Sequence, residues 1–455
     1  MSVGQSGPVG GAPATAPQDP FAPLRSRGYL KLLVLAALIG VPICAVAFGF
    51  LALVHELEPL IYQDLPQALG FHDTPVWWPL PMLATGGALV ALTIRHLPGN
   101  GGHEPADGFS PAGAPALSAL PGIALAALAT LSLGAVLGPE APLIALGGGL
   151  AVGALRLVQR GLTDQAAAVA GAAGSFAAVS ALLGSPLLGA YLLMEASGLG
   201  GALLGVVLVP GLLAAGIGGL IFTGLGNWTG LGTYSLALHN VPKAAEPSLA
   251  EFGWALAIGA LAALAGLGVR RLSLFLKDRV ARHRLPATVA LGLAVGALAV
   301  AFAEATGKPP SEVLYSGQSA LGNLFHDTAG YSAAALVLLV VCKGLAYCAS
   351  LSCFRGGPIF PAMFVGAAGG VALAHLPGLT ETAGFAMGIG AMTAAMLRLP
   401  MSALLMATLL MGPSGLTVMP LVIVAVVVAY VLTARLTPAP RAGAPAPNAA
   451  HGRRS

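Results

Sequence analysis

Charge is what this chain has least of. Asp, Glu, Lys and Arg together make up 8% of its 455 residues, where soluble domains carry about 25%. That scarcity excludes an ordinary soluble domain. The net charge of +4 is small and the basic residues sit mostly in termini and loops, so no nucleic-acid partner is indicated. Cysteine is scarce as well. Cys44, Cys342, Cys348 and Cys353 lie in apolar runs with no His or Cys at zinc-ligand spacing. They read as small packing residues, and neither a metal nor a cofactor is expected. Enzyme signatures are missing: no His-Glu-x-x-His, no Gly-x-x-x-x-Gly-Lys loop, no Gly-x-Ser-x-Gly elbow. Ser175 follows Gly174, but no His sits at a comparable depth, which disfavours an intramembrane enzyme.

What remains is apolar and small. Hydrophobic residues make up 56% of the chain, and 63 residues are glycine, the composition of a membrane protein whose helices pack closely through small side chains. Residues 1–27 and 438–455 are rich in Pro, Gly and Ala and read as disordered tails. Arg25, Arg27 and Lys31 flank the first apolar segment, and Arg435, Arg441, Arg453 and Arg454 follow the last. Both ends are therefore expected on the cytoplasmic side of a multi-pass plasma-membrane protein. A polar connector, 224–249, divides the membrane domain 28–437 into halves 28–223 and 250–437. Many apolar segments are too short or too interrupted for simple helices of ~20 residues across ~30 Å. Interruptions at matching places in two halves point to an all-α repeat with re-entrant or broken helices, an inverted repeat if each half crosses the membrane an odd number of times.

The two halves share a pattern. Gly138-Pro139-Glu140-Ala141-Pro142 opens one Gly-rich apolar helix and Gly357-Pro358-Ile359-Phe360-Pro361 opens another. Proline suits a first helical turn, where its missing N–H has no partner in any case. Downstream of each copy, a small-residue helix breaks at Pro186 or Pro400 and a short helix follows. Helix N-termini at membrane depth present free N–H groups and partial positive charge, which suits an anion. Only the first copy carries a carboxylate, Glu140. It reads as a tethered anion competing with a free one, hence a gate. The plainer alternative is a dipole partner worth about 0.3–1 kcal/mol.

Other candidates are less sharply marked. Glu195 ends the short helix after Pro186 and reads either as a proton relay or as a surface helix-end carboxylate. His103 and Glu104, beside Gly101 and Gly102, make either a third anion-contacting turn or a hydrated loop. Lys343 and Arg398 lie in or beside apolar segments, where they attract anions or snorkel to the interface.

These motifs resemble the CLC family of chloride channels and chloride/proton antiporters, over about Tyr29 to Thr437. The family's three anion-site signatures read Gly-Ser-Gly-Ile-Pro, Gly-Arg/Lys-Glu-Gly-Pro and Gly-x-Phe-x-Pro. Gly138–Pro142 resembles the second, Gly356–Pro361 the third, and Gly101–Pro105 is what remains of the first. The run from Phe354 to Pro361 is similar to a divergent bacterial branch of ion-transport proteins. The resemblance implies about eighteen helical segments per subunit, a homodimer in the lipid bilayer and one anion pathway per subunit. It implies that Glu140 is the gate, and that Gly102, His103, Glu140, Ala141, Ile359 and Phe360 surround chloride or another small anion. The family serine falls at Gly102, its Phe at Ile359, and Pro358 has no N–H to give. The pore-closing tyrosine has no counterpart, and the antiporters' internal proton glutamate aligns with Ala196, beside Glu195. Passive, channel-type conduction is therefore the expected mode. Proton-coupled exchange is the alternative, and a carrier for an organic solute is a more distant one.

Overall fold

The computed structural model describes residues 25, 27–109, 113–158, 161, 163–197, 202–230, 238, 241 and 243–438. The N-terminal tail to residue 24 and the C-terminal tail from 439 lie outside them. The described residues are almost wholly helical. The first half contains α1 (Arg27–Pro59), a π turn (Leu60–Asp64), α2 (Leu65–Ala68), α3 (Pro79–His96) and α4 (Leu120–Ser132). It continues with α5 (Glu140–Val158), α6 (Asp164–Leu183), α7 (Pro186–Ser197) and α8 (Ala202–Thr229). The second half opens with α9 (Leu249–Val280), α10 (Arg284–Thr306), α11 (Ala320–His326) and α12 (Ala333–Cys353). It ends with α13 (Ile359–Ala374), α14 (Glu381–Leu397), α15 (Pro400–Leu410) and α16 (Gly415–Leu436). Helix α8 thus continues past Gly224 into the stretch that reads as polar connector.

The packing repeats between halves. Helices α5 and α6 pair as α13 and α14 do, α6 packs on α8 as α14 does on α16, and α1 on α8 as α9 on α16. Across the halves, equivalent helices meet each other: α3 lies against α10, and α7 against α15. At the centre the equivalent glycines pair. Gly138 N–H donates to Gly357 O at 2.8 Å and Gly357 N–H donates to Gly138 O at 2.6 Å. An antiparallel bridge between equivalent residues is what a local two-fold axis produces, so the inverted repeat turns about this pair.

Among the described residues, eight helices are long and apolar enough to cross a membrane. Helix α13 is not one of them. Its 16 residues rise about 24 Å, short of the ~30 Å apolar layer. Apolar on every side, it is buried on every side. It lies so close to α14 that side chains have no room at the crossing. A Cβ on Gly366 would strike Gly388 O, and one on Gly388 would strike Gly366 O. Gly147 in α5 and Gly174 in α6 repeat this contact in the first half. The repeats also break alike: α6 ends at Gly184 and α14 at Arg398, both left-handed, with φ of 63° and 60°. Glycine adopts that conformation freely, whereas arginine does so at a cost of about 1–2 kcal/mol.

Because the α13–α14 crossing is backbone on backbone, Gly388→Ala should destabilise the protein by about 1–3 kcal/mol. Gly369→Ala, in the same helix pair but with open space around its Cβ position, should be nearly neutral. Thermal unfolding of the two purified variants checks this, and equal effects would contradict the packing account.

Candidate functional site

Each chain segment leaving the glycine pair turns through a proline into a helix. Glu140 stands in the first turn of α5 and is fully buried. Its side chain crosses to the other repeat. Oε1 accepts the N–H of Ile359, the first residue of α13, at 2.5 Å. The amides of Phe360 and of Glu140 itself also face the carboxylate. The opposite oxygen, Oε2, has no hydrogen-bond donor among the described residues. The carboxylate is held between the two central glycines. A Cβ on Gly138 would lie 2.8 Å from Glu140 Cδ, and one on Gly357 would lie 2.6 Å from Oε1. The site is therefore a carboxylate seated on a helix N-terminus, which carries about half a positive charge, in a pocket that only glycines leave open.

One face of α12 fixes the surroundings. Lys343, Tyr347 and Ser350 stand at i, i+4 and i+7, all buried. The Tyr347 hydroxyl donates to Pro358 O at 2.7 Å. That carbonyl belongs to the peptide whose N–H points at Glu140, so the tyrosine orients and polarises the donor. Ser350 Oγ accepts Val136 N–H at 3.0 Å, steadying the segment before Gly138. The three N–H groups of Lys343 go to the carbonyls of Glu312, Val313 and Leu314, at 2.9, 3.2 and 2.8 Å. Those bonds account for the ammonium group's whole donor capacity, so Lys343 anchors a turn. The spacing of these polar residues in an apolar run was the only signal of that face in the sequence.

Arg355, just ahead of the second glycine, ties the Gly101–Pro105 loop to this centre. It is buried, and its backbone N–H donates to Thr130 Oγ1 at 3.1 Å. Nε donates to Asn100 O at 3.2 Å and Nη2 to Glu104 Oε1 at 3.1 Å. Glu104 also meets Lys277 at 2.8 Å and Arg284 at 3.4 Å, and Lys277 meets Asp107 at 2.5 Å. Burial opposes ionisation of Glu104, but Lys277, Arg355 and Arg284 outweigh it and hold its carboxyl down at about 2. Inside the loop, Gly102 N–H donates to Gly99 O at 2.9 Å, and His103 Nε2 pairs with Gly108 O at 2.8 Å.

The structure thus brings Glu140, Ile359 and Phe360 together, with Ala141 next in the same first turn. Gly102 and His103 form hydrogen bonds within their own loop, which Arg355 links to the second repeat. Glu195 lies elsewhere, at the end of α7. It accepts the N–H groups of Met401 and Ser402 at 2.9 and 2.8 Å, and the Ser402 hydroxyl at 2.7 Å. It therefore caps the N-terminus of α15, a second case of a carboxylate from one repeat seated on a helix start of the other.

An inverted helical repeat with buried helix N-termini meeting at its centre is the architecture of a membrane transport protein. The chain belongs to the voltage-gated chloride channel family, or CLC family, whose model matches residues 86–434. Members of this family are channels or transporters that move anions, not enzymes. The chain is 30% identical over 362 residues to the Putative ion-transport protein YfeO of Salmonella paratyphi A, covering 77% of this chain and 82% of that one. The protein of that name in Salmonella typhimurium matches to the same extent. Among solved structures, a slow cyanobacterial Cl−/H+ antiporter superposes with a TM-score of 0.72 at 20% identity, over 89% of this chain and 95% of that one. A CLC-type fluoride/proton antiporter gives 0.61 at 20% identity over the same shares. A eukaryotic CLC transporter gives 0.64 at 18% identity, over 90% of this chain and 72% of that one.

Glu104 titrates lower in the folded protein than in the unfolded chain. Its pairing therefore stabilises fully above its ordinary value and is lost as pH falls from there towards about 2. Glu104→Gln should lower the melting temperature at neutral pH, with the gap to wild type closing as pH falls through that window. A gap that does not change with pH would remove the ion-pair role.

Proposed function

We propose that this protein conducts chloride or a similar small anion passively across the plasma membrane, with Glu140 as a protonatable gate. The observation that carries the reading is the Glu140 carboxylate on the Ile359 amide. A carboxylate and a free anion require the same donors, so one excludes the other. Protonation removes the charge that holds the side chain there, and the N–H groups of Ile359 and Phe360 become free for the ion. Pro358 offers no N–H and Gly102 no hydroxyl, so few donors hold the anion. Weak binding of this kind suits passage, since an ion must leave as easily as it enters.

Proton-coupled exchange is the second reading, favoured by the proton antiporters among the similar structures. Against it, Ala196 cannot carry a proton, and Glu195 already accepts three hydrogen bonds on α15. The resemblance adds a homodimer with one pathway per subunit; a monomeric mass in detergent solution, measured by light scattering, would count against it. The arginines near both ends favour a cytoplasmic location for each; cysteines introduced by Ser6→Cys and His451→Cys should resist an impermeant thiol reagent in intact cells, and labelling of either would contradict that.

Flux from liposomes tests the mechanism. Wild-type chloride efflux should depend on pH, and Glu140→Gln should keep the flux and lose that dependence. A chloride gradient should drive no uphill proton movement. If flux is insensitive to pH and Glu140→Gln changes nothing, Glu140 is only a dipole partner. Sustained proton pumping that disappears in Glu195→Gln would establish exchange instead.

A further inference from the structure

Two arginines meet away from the Glu140 site with no carboxylate to join them. Helix α9 crosses the end of α14 where Gly266 meets Ala395. Arg270 lies one turn farther along α9, and Arg398 lies in the turn that ends α14. The two helices run side by side in the same direction, with Thr380 on Glu251 at one end and Ala395 on Gly266 towards the other, so Arg270 and Arg398 lie at the same end, with Asp107 in the vicinity of Arg270. Asp107 is already joined to Lys277 at 2.5 Å. Among the described residues, neither arginine has an acidic group within ion-pair distance, and Arg270 has no hydrogen-bond acceptor. Arg398 gives Nη2 to Thr437 Oγ1 at 2.9 Å, while its Nε is buried without an acceptor. Both side chains are half-buried, so the pair is open to the surface.

The repeat supplies an internal control. At the equivalent left-handed position the first half has Gly184, the residue that fits there without strain. The second half holds Arg398 in that conformation. Helix termination does not require arginine there, so its side chain is what distinguishes the position. The same end of α9 carries exposed Arg271 and Arg279, and the turn after it carries exposed Arg282, a basic surface of the kind that faces the anionic leaflet of a membrane.

We propose that Arg270 and Arg398 form a binding site for a phosphate group, distinct from the anion site at Glu140. Two planar guanidinium forks suit a tetrahedral oxyanion, which takes paired hydrogen bonds from each, better than they suit a spherical halide. Bound there, phosphate accepts from the two guanidinium groups and neutralises their charges. It joins α9 to the α14–α15 turn and, through Thr437, to the end of α16. The phosphate comes either from solution or from a lipid headgroup.

Thermal unfolding of the purified full-length protein tests the site. Inorganic phosphate, compared with chloride at equal ionic strength, should raise the melting temperature of wild type and of Glu140→Gln alike. The double variant Arg270→Gln/Arg398→Gln should lose the response, and each single variant should weaken apparent phosphate affinity at least about tenfold. Arg398→Gly is the sharper probe. It should stabilise the phosphate-free protein by relieving the strained turn, and still lose the phosphate response. Phosphatidylglycerol vesicles compared with phosphatidylcholine vesicles give the second arm. Stabilisation by phosphatidylglycerol alone, lost in the double variant, identifies the lipid headgroup as the ligand. A phosphate or phosphatidylglycerol response that survives in Arg398→Gly and in the double variant overturns the proposal, as does the absence of both responses in wild type.

Discussion

A carboxylate buried at the apolar centre of a membrane protein must be met by N–H groups, because no water is there to solvate it and an unpaired charge is costly. Glu140 meets that condition by reaching across the repeat boundary to the Ile359 amide. The rest of the centre follows from this contact. Both neighbouring positions are glycine because a Cβ on either would occupy the carboxylate's place. The peptide bearing the Ile359 N–H is fixed on its other side by Tyr347. The segment before Gly138 is steadied by Ser350, and the segment before Gly357 by Thr130 and the loop around Arg355.

The two-fold arrangement explains how so short a helix as α13 is placed so accurately. Each half uses the same devices: a Gly-Pro helix start, a glycine crossing to the next helix, and a left-handed break before a short helix. The halves then depart from symmetry at the positions where charge appears. Glu140 faces Ile359, and Glu195 of α7 caps α15. Where the first half has Gly184, the second has Arg398. The halves share a scaffold and differ in the charged residues they place on it.

Local chemistry was legible in the sequence. The Gly-Pro starts of α5 and α13, the breaks at Pro186 and Pro400, the paired halves and the singular Glu140 all follow from residues a few positions apart. The contacts that give Glu140 its setting do not. Its acceptor role joins residues 219 positions apart, and no spacing rule reaches that far. Tyr347, Ser350 and Thr130 lie in runs apolar enough to hide which face is polar. Lys343 reads from sequence as a cation that attracts anions or snorkels to the interface, but three carbonyls from a distant turn occupy it. Arg355 was visible only as part of a motif, because the loop it secures lies in the other half.

The central claim is that carboxylate and anion compete for the α13 N-terminus. Anomalous diffraction from crystals grown in bromide tests it most directly. In Glu140→Gln, a bromide peak should lie at the N–H groups of Ile359 and Phe360, between Gly138 and Gly357. In wild type at alkaline pH, the carboxylate should occupy that place and the peak should be absent. Bromide bound elsewhere along the protein in both, with nothing at the Ile359 amide once the charge is removed, would contradict the account.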